Sequence, residues 1–141
     1  MNSRNLMIAD IVYAPMERPG FARVCGLGLF AVDILFEDGV SAEMVPEDEL
    51  SPVMLSPELL VKAGFVFKKG LFFSSWTLST GNGTVVIDAY QAKNGGNVLY
   101  TEILGNRKLL NFVHELQNLM RYCGMREEAD TMLTGGSCHG R

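Results

Sequence analysis

The chain reads as an α+β protein: a small N-terminal SH3-like β-barrel, a short linking helix, then an antiparallel sheet packed against one C-terminal helix. Three observations lead there. Short apolar or alternating runs, punctuated by Gly, Pro and Asp-Gly, fill residues 1–54 and recur over 65–104. One capped helical signature separates the two regions. A single sustained i, i+3, i+4, i+7 pattern follows Gly105. At 141 residues this is one domain or two very small ones sharing a core, and it removes enough surface from water to fold without staples.

In the first region, Met7–Tyr13, Phe21–Cys25, Phe30–Phe36 and Val40–Val45 read as strands, separated by Pro15, Pro19-Gly20, Gly26 with Gly28, and Asp38-Gly39. Asp38-Gly39 is a two-residue hairpin signal, because both positions of a type I′ turn need positive φ. Strands this short suit a strongly bent barrel over residues 1–54. In the linking segment, 55–65, Ser56 is an N-cap, Pro57 fits the first helical position, and Gly64 can take the left-handed conformation that ends a helix. Two turns do not survive alone, so its leucines must dock on the core.

Residues 66–124 form the second unit. Leu71–Ser79 and Thr84–Gln91 flank Thr80-Gly81-Asn82-Gly83, and the KNGGN stretch at 93–97 leads into Val98–Leu104. Neither Val85, Ile87 and Ala89 nor Val86, Asp88 and Tyr90 make a purely polar face, which predicts a central or doubly covered strand. Leu109, Phe112, Val113, Leu116, Leu119, Met120 and Cys123 then predict a helix over 106–123 with Gly124 as its C-cap. Apolar content falls afterwards, so 125–141 reads as a flexible tail.

Charge and cysteine usage bound the function. Residues 1–64 carry 10 acids against 4 bases, and residues 65–141 carry 6 against 8. An acidic half facing a half with no dense basic stripe predicts no nucleic-acid partner, since that affinity rests on lysine and arginine releasing counterions. Three widely spaced cysteines, Cys25, Cys123 and Cys138, read as reduced thiols in a cytoplasmic protein rather than a disulfide framework. MNSRNLMIADIVYAP resembles neither a signal peptide nor a spanning segment, and no membrane partner is expected.

The motifs yield no catalytic residue and no metal or cofactor site. His114-Glu115 lacks the second histidine of a zincin, because Asn118 stands one turn on; His114 is expected to pack at the edge of the core. Gly26-Leu27-Gly28-Leu29-Phe30-Ala31 matches a dinucleotide fingerprint in letters, but a strand rather than a helix is expected after it. Asp10, Asp33 and Asp88 sit in apolar runs and are expected to point outward; whether any two approach is open. Cys138-His139 offers only two ligands on a glycine-rich tail. The aromatics of the second half have a core reading and a surface one. On the surface reading, Trp76, Tyr90 and Tyr100 form a binding face for a partner or a planar ligand.

The segments PVMLSPELLVKAGF and FVHELQNLMRYCG carry a resemblance. Pro52, Leu55, Pro57, Glu58, Leu59, Leu60, Gly64 and Phe65, then Val113, His114, Leu116, Gln117, Asn118 and Leu119, are similar to the "PLTPEIL…GF" segment and late "YVHQLQNLY" helix of a group of small uncharacterised proteins from phages and mobile elements of anaerobic gut bacteria. Phe112 and Met120 depart from that group, which tends to have tyrosine at both places. The resemblance implies a phage or prophage accessory protein, with counter-defence as one role. The expected function is a non-enzymatic binding module acting on a host protein or on itself as a homo-oligomer. The alternative is an oligomeric protein sequestering a small nucleotide signal, and a small hydrolase comes third.

Overall fold

The computed structural model describes residues 6, 7, 10–14, 20–27, 31–36, 40–71, 73–91, 93 and 96–133. It is α+β, with two five-stranded antiparallel sheets and three short helices among these residues. The Asp38-Gly39 turn and the Cys138-His139 pair lie outside the described residues.

The first sheet comprises β1 (Ile11–Ala14), β2 (Gly20–Leu27), β3 (Ala31–Phe36), β4 (Ser41–Pro46) and the two-residue β5 (Ser51–Pro52), ordered β4-β3-β2-β1-β5. The expected barrel is not closed, because no described pairing joins the edges β4 and β5. Period-2 alternation nonetheless gives the sheet two apolar faces. Val12, Ala22, Val24, Val32, Ile34 and Val45 pack together under Leu6 and Leu50, while Ile11 faces the other way, into the second half of the molecule. A register shift between Val24 and Gly26 bends β2. A Cβ on Gly26 would meet the Asp33 carboxylate at 2.6 Å, so this crossing requires glycine.

α1 (Pro57–Lys62) forms as its caps dictate. Ser56 Oγ accepts the Leu59 N–H at 3.3 Å, Pro57 opens the helix, and Gly64 follows it at φ 97°. Leu60 is fully buried and anchors the helix to the core.

The second sheet is a meander of β6 (Val66–Lys69), β7 (Ser74–Thr80), β8 (Gly83–Gln91), β9 (Asn97–Ile103) and β10 (Asn106–Leu109), ordered β10-β9-β8-β7-β6. Here the expected helix over 106–123 is corrected. Residues 106–109 pair with β9 through a tight turn in which Leu104 and Gly105 both have positive φ, 52° and 83°. A type I′ turn normally announces itself as Asn-Gly or Asp-Gly, and leucine at its first position conceals it. The helix proper, α2, spans Val113–Tyr122, with Glu115 Oε1 accepting the N–H groups of Asn111 and Phe112 at 3.0 Å each. Glu115, the third residue of the helix, thus reaches back to satisfy backbone N–H groups at its N-terminus.

The flexible tail expected over 125–141 is corrected for residues 125–133. Gly124 ends α2 at φ 85°, the chain turns back, and α3 (Arg126–Thr131) packs on α2. Met125, Ala129 and Met132 are buried in the main core, with Trp76, Ile87, Leu99, Leu116 and Met120. The chain from 134 onward lies outside the described residues.

Candidate functional site

Two clusters could carry function: an aromatic cleft on the second sheet, and a buried polar network between the first sheet and the two C-terminal helices.

Cross-strand partners share a face of a sheet. Phe67 stands opposite Trp76 and Trp76 opposite Ile87; Lys69 stands opposite Ser74 and Ser74 opposite Ala89. α2 and α1 cover part of this face and leave a cleft of about 520 Å³ at the end where α1 begins. Pro57 and Glu58 from α1, Phe67 and Lys69 from β6, Phe73, Trp76 and Tyr90 line it, with Gln91 and Asn97 supplying amides. The Phe67 and Trp76 rings lie 5.1 Å apart at 44°, an offset arrangement that avoids a face-to-face sandwich. Trp76 is buried, whereas Phe67, Phe73 and Tyr90 remain about half exposed. A cleft wall of partly solvated rings with a few polar groups is what a ligand or a partner's side chain can fill.

The three aromatics singled out by sequence are thus divided. Trp76 and Tyr90 both line the cleft. Tyr90 and Tyr100 share the face of the sheet turned away from Trp76: Tyr90 reaches the cleft at its rim, and the buried Tyr100 lies 5.7 Å from the Tyr90 ring, with the Arg107 guanidinium 4.9 Å above its own. That guanidinium is shared with an acidic pair. Partial burial and then Glu102 raise the Asp88 carboxyl above the usual range, and Arg107 opposes them. Sequence reasoning missed Phe67, Glu58 and Lys69, which reach the cleft only through hairpin register and the docking of α1.

In the buried network, Arg121 of α2 donates to Asp10 at 2.7 Å, to Asp130 of α3 at 3.0 Å, and to Asn118 at 2.9 Å. Asp10 is fully buried and also accepts the Met7 N–H, which overturns the expectation that it points outward. Burial lifts its carboxyl above the usual range; the hydrogen bonds from Arg121 and Met7 pull it back down. Arg23, buried opposite Ile11 on the same face of the first sheet, donates to the Met132 carbonyl at 2.7 Å, and desolvation lowers its guanidinium to about 10. Gln117 completes the network: its amide accepts the Ile11 N–H and donates to the Ala129 carbonyl, each at 2.8 Å.

Asp10, Asp33 and Asp88 have different partners on different elements. Asp33 accepts the Met44 N–H at 2.9 Å, while Asp88 pairs in register with Tyr100. They do not form a paired-acid centre. His114 is half-buried and stacks parallel on Phe112 at 5.7 Å, with its Nδ1 left without a hydrogen-bond partner. No group of three or more metal-ligating side chains occurs among the described residues. Ala31–Phe36 is a strand, so no helix opens at the Gly26 motif. The cysteine reading is corrected in part: Cys123 is a free thiol, but Cys25 is disulfide-bonded. No helix among the described residues is long and apolar enough to cross a membrane. Compared with known proteins, the chain matches no family model, no curated protein and no solved structure.

Proposed function

We propose that the protein is a non-enzymatic binding module whose aromatic cleft seats an apolar or ring-bearing side chain of a partner protein. The observation that carries this reading is the convergence of Phe67, Phe73 and Tyr90, all about half exposed, on the one cleft floored by Trp76. Large apolar side chains gathered in one exposed place favour an interaction site over chance exposure. The polar groups of the lining, Glu58, Lys69, Ser74, Gln91 and Asn97, can position the polar atoms of a partner around its buried side chain. The resemblance to phage and mobile-element proteins supports a host protein as the partner and an accessory, counter-defence role. The cleft's size favours a second reading: about 520 Å³ falls among small-ligand pockets, as sequestration of a nucleotide signal would need.

Capture from host lysate by the wild-type chain and by Phe67→Ala and Tyr90→Ala variants, each first shown to fold, tests the proposal. A protein partner retained by the wild type and lost by both variants is expected. Full retention by both folded variants means the cleft is not the site. A melting temperature raised by added nucleotide, with no protein captured, decides for the second reading.

A further inference from the structure

The hairpin between β6 and β7 has an uncommon surface. At its tip stand Gly70, Leu71 and Phe73, with Leu71 97% and Phe73 55% exposed. Gly70 N–H donates to the Phe73 carbonyl at 3.0 Å, and a Cβ at Gly70 would stand 2.5 Å from that oxygen. Only glycine fits so close an approach of the two strand ends. Lys68 and Lys69 stand exposed at its base. The local charge runs against that of the whole chain. Net charge is −4, yet no acid occurs from 59 through 87, and the charges in that stretch are Lys62, Lys68 and Lys69.

We propose that this hairpin is an interfacial membrane anchor, seating Leu71 and Phe73 at the boundary of headgroups and acyl chains of an anionic bilayer. Lys68 and Lys69 lie along the headgroup phosphates. Lys68 and Lys69 precede the tip on opposite faces of β6; apolar side chains flanked by lysines suit such an interface, the apolar part entering the hydrocarbon edge and the long lysine stems keeping their charge among the headgroups. Two alternatives fit less well. A protein interface of ordinary size buries roughly 800 Å² per partner, whereas two tip side chains offer at most about 150–250 Å² each. Pairing of the β6 edge with a second copy would bring Lys68 and Lys69 of two chains together, which is how natural edge strands avoid self-association. An anchor of this kind lies on a membrane and does not cross it, so it is compatible with the lack of a spanning helix among the described residues. It revises the expectation of no membrane partner, which rested on the search for spanning segments alone. Leu71, Phe73 and Lys69 also line the aromatic cleft, so the two readings share these side chains, and Phe67 and Tyr90, which the anchor does not use, test the cleft alone.

Sedimentation of the full chain with vesicles decides the matter. Phosphatidylcholine vesicles are compared with an equal mixture of phosphatidylcholine and phosphatidylglycerol. The wild type is expected on the mixed vesicles, bound roughly tenfold or more above phosphatidylcholine alone, and released by added salt. Leu71→Ser, at a side chain almost wholly in solvent, leaves the fold intact by circular dichroism and loses most of this binding. Lys68→Ala with Lys69→Ala loses roughly tenfold and much of the salt sensitivity. A wild type that stays in the supernatant with mixed vesicles overturns the proposal, as does a folded Leu71→Ser variant that sediments like the wild type. Loss of a captured protein partner on Leu71→Ser, with no vesicle binding by the wild type, assigns the tip to a protein interface and overturns it as well.

Discussion

Replacing Arg121 by methionine removes the ion-pair partner of a fully buried carboxylate while keeping most of the side chain's volume. Asp10 then retains the Met7 N–H at 2.8 Å but loses the guanidinium at 2.7 Å. Breaking a buried pair from one side costs about 3–5 kcal/mol, because the surviving charge is left without compensation. The penalty must depend on pH in a definite direction. Burial raises the Asp10 carboxyl above its ordinary 3.8, so the folded protein holds that proton more tightly than the unfolded chain does. The group's contribution favours folding fully below 3.8 and is lost as pH rises through the lifted value. Without Arg121 two lowering influences disappear, the lift grows, and the loss extends to higher pH. Urea unfolding followed by circular dichroism should therefore show a large deficit against the wild type at neutral pH and a smaller one in mild acid. Adding Asp10→Asn to Arg121→Met should recover part of the neutral-pH loss. A deficit under about 1 kcal/mol, or one equal at both pH values, would refute the claim that a buried charge pair joins the first sheet to α2.

Two further perturbations follow from the corrected elements. Leu104 sits at φ 52° and is 90% exposed, so Leu104→Asn relieves a left-handed strain without losing contacts; thermal unfolding should show a gain of up to about 1 kcal/mol. Deleting residues 129–141 removes the buried Ala129 and Met132 and the carbonyl that accepts from Arg23, and the loss of one such core side chain alone costs about 2–5 kcal/mol. A truncated chain that melts with the wild type would mean α3 does not hold the fold.

What could be read from the sequence was local. Ser56, Pro57 and Gly64 specify α1 within nine residues, and the caps form as their chemistry requires. The Gly81-Asn82 turn is equally local, joining Thr80 to Gly83 across two residues. β10 was hidden because Leu109 falls by accident on a helical spacing with Phe112 and Val113. Leu109 is half exposed on a strand, while Leu110 enters the core beyond it. Closure of the first sheet was unreadable for another reason. Short strands and tight turns fix antiparallel neighbours, but whether the edges meet depends on accumulated bend, and β5 is only two residues long.

The polar network shows why composition misjudges charged residues. Asp10, Arg23 and Arg121 each look like surface charges when taken singly, and what places them inside is a partner 109–111 residues away. Period 3.6 does put His114, Asn118 and Arg121 on one strip of α2, beside the apolar stripe of Leu116, Leu119 and Met120. It does not say what the strip meets. In the fold α2 is a wedge: its apolar stripe enters the core of the second sheet, and its polar side meets β1. That second side needs polar groups, because the Ile11 N–H points at the helix and Gln117 supplies its acceptor. Asp10 precedes it with a buried carboxylate that only a cation can balance, and Arg121, one turn beyond Gln117, stands where it can do so. The helix that looks merely amphipathic in sequence is thus built to face two cores of different chemistry. For that reason its polar residues are as firmly constrained as its leucines, although none of them lies in the aromatic cleft.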